Sequence, residues 1–143
     1  MSFQFPVESG QALLFARSVG DADPCYEHQL DARPGTPLVV PPTFTSSAAH
    51  FDPESRTRPR LPATEADFGG SADRVHAEQH FEYYEPLRAG EQASVESFPG
   101  RTWTKEGRSG LLEFTETITE FRTAGGALAV RARKVGVRIV GPR

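Results

Sequence analysis

Cysteine is nearly missing from this chain. One residue, Cys25, among 143 excludes an internal disulfide and any cysteine metal cluster. Lysine is almost as scarce, with Lys105 and Lys134 alone, so arginine makes up the rest of the 16 basic side chains. Against 19 acidic groups these leave a net charge of −3, which lacks the basic footprint of a nucleic-acid binder. Long apolar runs are also absent. None approaches the ~18 residues that span a bilayer, and the start, MSFQFPVESG, has no charged segment followed by an apolar run. A soluble, cytoplasmic protein is the expectation. With 37% hydrophobic and 24% charged residues in a chain this long, one globular domain over 1–143 is expected.

What is present is a segregated pattern. Glu8 to Val19 reads as a helix, because Ala12, Phe15, Ala16 and Val19 recur on one face. Gly20 ends it, and Asp21-Ala22-Asp23-Pro24 is turn chemistry. Pro41 and Pro42 suit a helix start, where a missing N–H costs little. Thr43 to Phe51 is small and apolar enough to form a buried helix. Asp52 to Arg74, rich in Pro, Gly and charge, reads as a long loop or lid.

From Val75 the period changes to two. Val75, Ala77, Phe81 and Tyr83 alternate with His76, Glu78, His80 and Glu82. Further strands are expected over EQASVESFPGRTW, LLEFTETITEFRT and ALAVRARKVGVRIV. Ala124-Gly125-Gly126 signals a hairpin turn. A change of phase near Lys134 predicts a β-bulge there. Two helices followed by four consecutive strands define an α+β chain.

Three stretches carry more than pattern: FARSVGDADPCYE (15–27), VVPPTFTSSAA (39–49) and HAEQHFEYYEPLRAGE (76–91). In order and spacing they resemble the MaoC-like hydratase/dehydratase family. Within it they look most like the N-terminal-type dehydratase domain and the accessory subunit of an R-specific hydroxyacyl-ACP dehydratase. The resemblance covers most of the chain. It implies a hot-dog fold, an antiparallel curved sheet around a central helix. It implies pairing, homomeric or heteromeric, with another hot-dog subunit. The substrate would be an acyl-CoA or acyl-ACP thioester, and the reaction water addition or removal across the 2,3-bond of an enoyl or (R)-3-hydroxyacyl chain. No metal or redox cofactor is called for.

That chemistry needs a base for water and a donor for the thioester oxygen. The family loop reads G-D-x-N-P-φ-H. Here Asp21 matches the catalytic Asp, although a turn role is the commoner one for a loop Asp. Tyr26 stands where the His belongs, and a phenol with a pKa near ~10 is a poor base at neutral pH. His28, two residues on, is the alternative base. Family members also present H-G-M-φ at the buried helix, with the Gly N–H toward the thioester. The matching run is Pro41-Pro42-Thr43-Phe44, in which Pro42 has no N–H and Thr43 is the substitute donor. Base and donor are thus both altered.

His76 and His80 beside Glu78 and Glu82 could be read as a metal site, but alternation on an exposed strand face produces the same pattern. The leading expectation is a substrate-holding, catalytically degenerate half of a heteromeric dehydratase, contacting substrate through Tyr26, Pro42, Thr43 and Phe44. A paired architecture permits this, since one working site per pair suffices. The alternatives are a self-sufficient homo-oligomeric hydratase using Asp21 with His28, a hot-dog thioesterase, or a non-enzymatic acyl-thioester-binding protein.

Overall fold

The computed structural model describes residues 2–28, 39–53, 74–108 and 110–140. Most of the expected 52–74 lid therefore lies outside the described residues.

Five antiparallel strands form one sheet in the order β1-β3-β4-β5-β2. These are β1 (Ser2–Pro6), β2 (Arg74–Tyr83), β3 (Gln92–Gly107), β4 (Gly110–Arg122) and β5 (Leu128–Val140). Sequence pattern anticipated four of them. The fifth, β1, pairs Phe3 with Val95 and Phe5 with Ala93. Its alternation of Phe3 and Phe5 with Ser2 and Gln4 is the period-two signal of a half-buried strand.

Helix α1 (Ser9–Ser18) forms where expected, burying Ala12, Leu13 and Ala16. A second short helix, α2 (Pro24–His28), follows the Asp21 loop. The expected buried helix forms as a 3₁₀ helix over Phe44–His50. Phe44 N–H donates to Pro41 O, and Ser46 N–H to Thr43 O, each at 2.9 Å. The Ser47 hydroxyl adds a 2.7 Å bond to the Phe44 carbonyl. Such i→i−3 hydroxyl bonds, with β-branched Thr43 and Thr45 nearby, favour the tighter turn over an α-helix.

The 3₁₀ helix covers one sheet face. Phe44 and Phe5, both fully buried, meet with ring centroids 5.4 Å apart. Val95, Phe121, Val130 and Ala132 complete this core from β3, β4 and β5. Fully burying such side chains contributes about 1.5–3 kcal/mol each, which is why this face determines the sheet's register.

Two phase readings need correction. The bulge expected in β5 near Lys134 lies in the partner strand. Glu78 pairs with Val135 and His76 with Gly136, so Ala77 is the extra residue. His76 consequently lies on the helix-covered face with Gln79 and Phe81, while Glu78, His80 and Glu82 keep the opposite one. A further irregularity in β5 falls between Val130 and Leu128, opposite Phe121 and Arg122. The Thr123–Ala127 hairpin forms as its glycines foretold, with Gly126 at φ 85°.

The opposite face carries charge. The buried Glu116 accepts from Arg133 Nη1 at 3.2 Å and lies 3.6 Å from Arg101 Nη2. Glu120 accepts from Arg131 at 2.8 Å and from Arg122 at 2.7 Å. Gly100, at a bulge in β3, leaves room for Glu116. A Cβ there would stand 2.5 Å from its Oε1 and 2.9 Å from its Cβ.

Candidate active site

The Asp21 loop is built by helix termination. Gly20, at φ 77°, takes the left-handed position after α1, and its N–H reaches Arg17 O at 3.2 Å. Asp21 N–H closes on Ala16 O at 2.9 Å, completing a Schellman motif. The Asp21 carboxylate accepts from Asp23 N–H at 3.1 Å. Asp23 in turn accepts from Cys25 N–H at 2.9 Å and so caps α2, with Pro24 in its first turn. The Cys25 N–H bond is the main reason the Asp23 carboxyl falls below its ordinary pKa.

Tyr26 is buried against Leu13 and Ala16, with Cys25 at its side. Burial first, and the negative charge of Asp21 second, push its phenol above the ordinary tyrosine value. The Tyr26 phenol therefore stays protonated at neutral pH. His28 is the last residue of α2, and its side chain lies outside the described residues. Asp21, Asp23 and Pro24 line a cavity of about 290 Å³ with Leu13 and Arg17.

The proline run lies elsewhere. Pro41 and Pro42 line a second cavity of about 440 Å³ with Val39, Tyr83, Leu87 and Val130. Its wall is mostly apolar. The Tyr83 hydroxyl donates to the Pro42 carbonyl at 3.0 Å, and burial raises that phenol's pKa too. Thr43 is exposed, whereas Phe44 is sealed in the core against Phe5 and Phe15. Thr45 lines the cavity, and its buried hydroxyl has no hydrogen-bond partner among the described residues. Leaving such a group unpaired costs about 1–3 kcal/mol, so it marks a place where a further polar group would be stabilising.

Thr45 also borders a third cavity, of about 410 Å³, between the 3₁₀ helix and the sheet. Phe3, Ala48, Phe81, Val95 and Phe121 supply its apolar wall. His76, Lys134 and Asp52 stand among its polar lining. The second and third cavities thus meet at one residue, while the Asp21 cavity shares no lining with either. Tyr83 and Thr45 were not singled out from sequence. Tyr83 read as one more alternating strand aromatic, and Thr45 as helix filler. Among the described residues no group of three His, Cys, Asp or Glu side chains is placed to hold a metal ion.

A five-stranded antiparallel sheet closed by a short helix is the hot-dog architecture. Solved structures carry the same fold. The (3R)-hydroxyacyl-ACP dehydratase complex HadBC of Mycobacterium tuberculosis contains a chain 21% identical, with a TM-score of 0.66 over 96% of this chain and 94% of that one. The ChsH1–ChsH2 complex of the same organism matches at 17% identity and TM-score 0.66, over 99% of this chain and 85% of that one. An (R)-hydratase from A. caviae involved in PHA biosynthesis matches at 15% and 0.59, covering 98% and 93%. The molecule therefore has the hot-dog fold. No curated protein matches the chain by sequence. The chain belongs to the FAS1-like, dehydratase domain region family, whose model matches residues 2–132.

Proposed function

We propose that the chain is the substrate-holding, catalytically degenerate subunit of an R-specific enoyl-thioester hydratase/3-hydroxyacyl-thioester dehydratase. It would pair with a second hot-dog chain that supplies the working acid–base residues. The observation that carries this is Tyr26. It is buried, its pKa is raised, and in the loop it stands where the family pattern G-D-x-N-P-φ-H has its base. Hydration requires a group that takes a proton from water near neutral pH, and a phenol shifted upward does not. The neighbouring carboxylate of Asp21 is bound into a turn.

The substrate-holding role has its own support. The two cavities meeting at Thr45 follow the 3₁₀ helix, and together they suit a thioester with an extended acyl chain. Two of the similar chains come from complexes, HadBC and ChsH1–ChsH2. CoA or ACP would carry the acyl group, and the chain would work as a dimer.

The test is hydration of crotonyl-CoA and a long-chain enoyl-CoA by the purified chain, alone and co-expressed with a hot-dog partner carrying an intact G-D-x-N-P-φ-H loop. The expected result is silence alone, activity with the partner, and indifference to Asp21→Ala. Activity of the chain alone that disappears in Asp21→Ala would overturn the reading and direct attention to His28 as base.

A further inference from the structure

A thioester seated against the start of the 3₁₀ helix needs a donor for its carbonyl oxygen. Pro42 lines that groove and has no N–H to offer. Three hydroxyl side chains line the same wall, those of Tyr83, Thr45 and Tyr84, and the first two are the candidates. Tyr83, half-exposed at the end of β2, already has its proton directed to a carbonyl oxygen, that of Pro42, at 3.0 Å. A ligand carbonyl arriving beside Pro42 can take over this bond, since the donor is on a side chain and Pro42 is an exposed residue. The second hydroxyl is Thr45 Oγ1. Its residue is only 4% exposed, and the oxygen has no partner among the described residues. Other polar groups on the wall do not serve. The Tyr84 hydroxyl donates to Glu82 at 2.8 Å, and the Glu85 carboxylate accepts only.

We propose that Tyr83 is a positioning residue whose hydroxyl, backed by that of Thr45, donates to the carbonyl oxygen of an acyl thioester held in this groove. This rests on reading the chain as an acyl-thioester-holding subunit, and it supplies the donor that the proline run lacks. Tyr83 performs no proton transfer here. It orients the thioester while the acyl chain continues past Thr45 into the third cavity.

Calorimetric titration of the full chain with decanoyl-CoA and with S-decyl-CoA tests it, because the second ligand has a CH₂ in place of the carbonyl. The wild-type chain should prefer decanoyl-CoA about tenfold, the scale of one hydrogen bond to a buried polar group. Tyr83→Phe should remove most of that preference by weakening decanoyl-CoA binding and leave S-decyl-CoA unchanged. Thr45→Val should show a smaller loss of the same kind. An unchanged preference in Tyr83→Phe, or equal binding of both ligands by the wild type, overturns the proposal and leaves the acyl-holding reading standing. If the wild type binds neither ligand, that reading fails and the proposal with it. Should Tyr83→Phe lose S-decyl-CoA as well, it has misfolded. Thr45→Val then decides, and an unaltered preference there is also a refutation.

Discussion

Asp21 has two structural roles, one for its carboxylate and one for its backbone. Its Oδ1 holds the Asp23 N–H, and its own N–H ends α1. Replacing it by alanine removes the turn bond and should lower stability by about 1 kcal/mol, read from urea unfolding, with partner-dependent hydration intact. Tyr26 predicts a pH effect of definite sign. Its folded pKa lies above the ordinary value of 10.0, raised by burial first and by Asp21 second. The folded state therefore holds the phenol proton more tightly than the unfolded chain. The stabilisation is fully present below 10 and is lost as pH rises through the folded value. Tyr83 and Tyr84 shift in the same direction. Alkaline titration followed by phenolate absorbance should give midpoints above 10, and Tyr26→Phe should flatten the alkaline loss of thermal stability. Midpoints at or below 10 would contradict the buried phenol.

At the scale of the element, the 3₁₀ helix and β3 carry the most exposed claims. Phe44 anchors the helix between Phe5 and Phe15, with centroids at 5.4 and 5.7 Å. Phe44→Ala should cost about 3–5 kcal/mol, the range for deleting a buried ring. The denaturation midpoint measures it, and a loss under 1 kcal/mol would place the ring outside the core. In β3 the bulge exists because Gly100 admits Glu116. An added Cβ meets that residue's Cβ and Cγ as well as its carboxylate, so rotating the tip does not relieve the clash. Gly100→Ala should destabilise by about 1–3 kcal/mol. Paired replacement with Glu116→Ala should recover part of it, as residues in contact are not additive.

Across the whole molecule, the sheet separates an apolar face under the helices from a charged one. On the charged face burial raises the Glu116 pKa, but the Arg133 hydrogen bond and the Arg101 contacts outweigh it, and the net shift is downward. Glu120 is lowered chiefly by its hydrogen bond to Arg131. Carboxylates lowered in the folded state stabilise it above the ordinary value of 4.5 and lose that contribution as pH falls through the folded value. Thermal unfolding should therefore drop steeply on acidification below 4.5, and Glu116→Gln should make the drop shallower. An unaltered acid limb in the variant would show that the Glu116 network does not govern it.

By itself the sequence determined the family, the segregation of helices from strands, the Gly20 and Gly126 turns, and the chemical gaps at Tyr26 and Pro42. These are local properties: hydrophobic period, φ preferences, and the presence or absence of a proton on one residue. Tertiary structure decided what depends on partners distant in the chain. β1 becomes a strand because β3 offers Phe5 a buried place beside Ala93. His76 leaves the face of His80 because Ala77 bulges opposite β5, and pairing across strands is invisible to a single-strand period. The helix tightened to 3₁₀ with the Ser47 hydroxyl bonded to the Phe44 carbonyl. The groove that joins Pro42, Tyr83 and Thr45 arises only when the end of β2 is laid against the helix start, forty residues earlier in the chain, because side chains meet by folding and not by spacing.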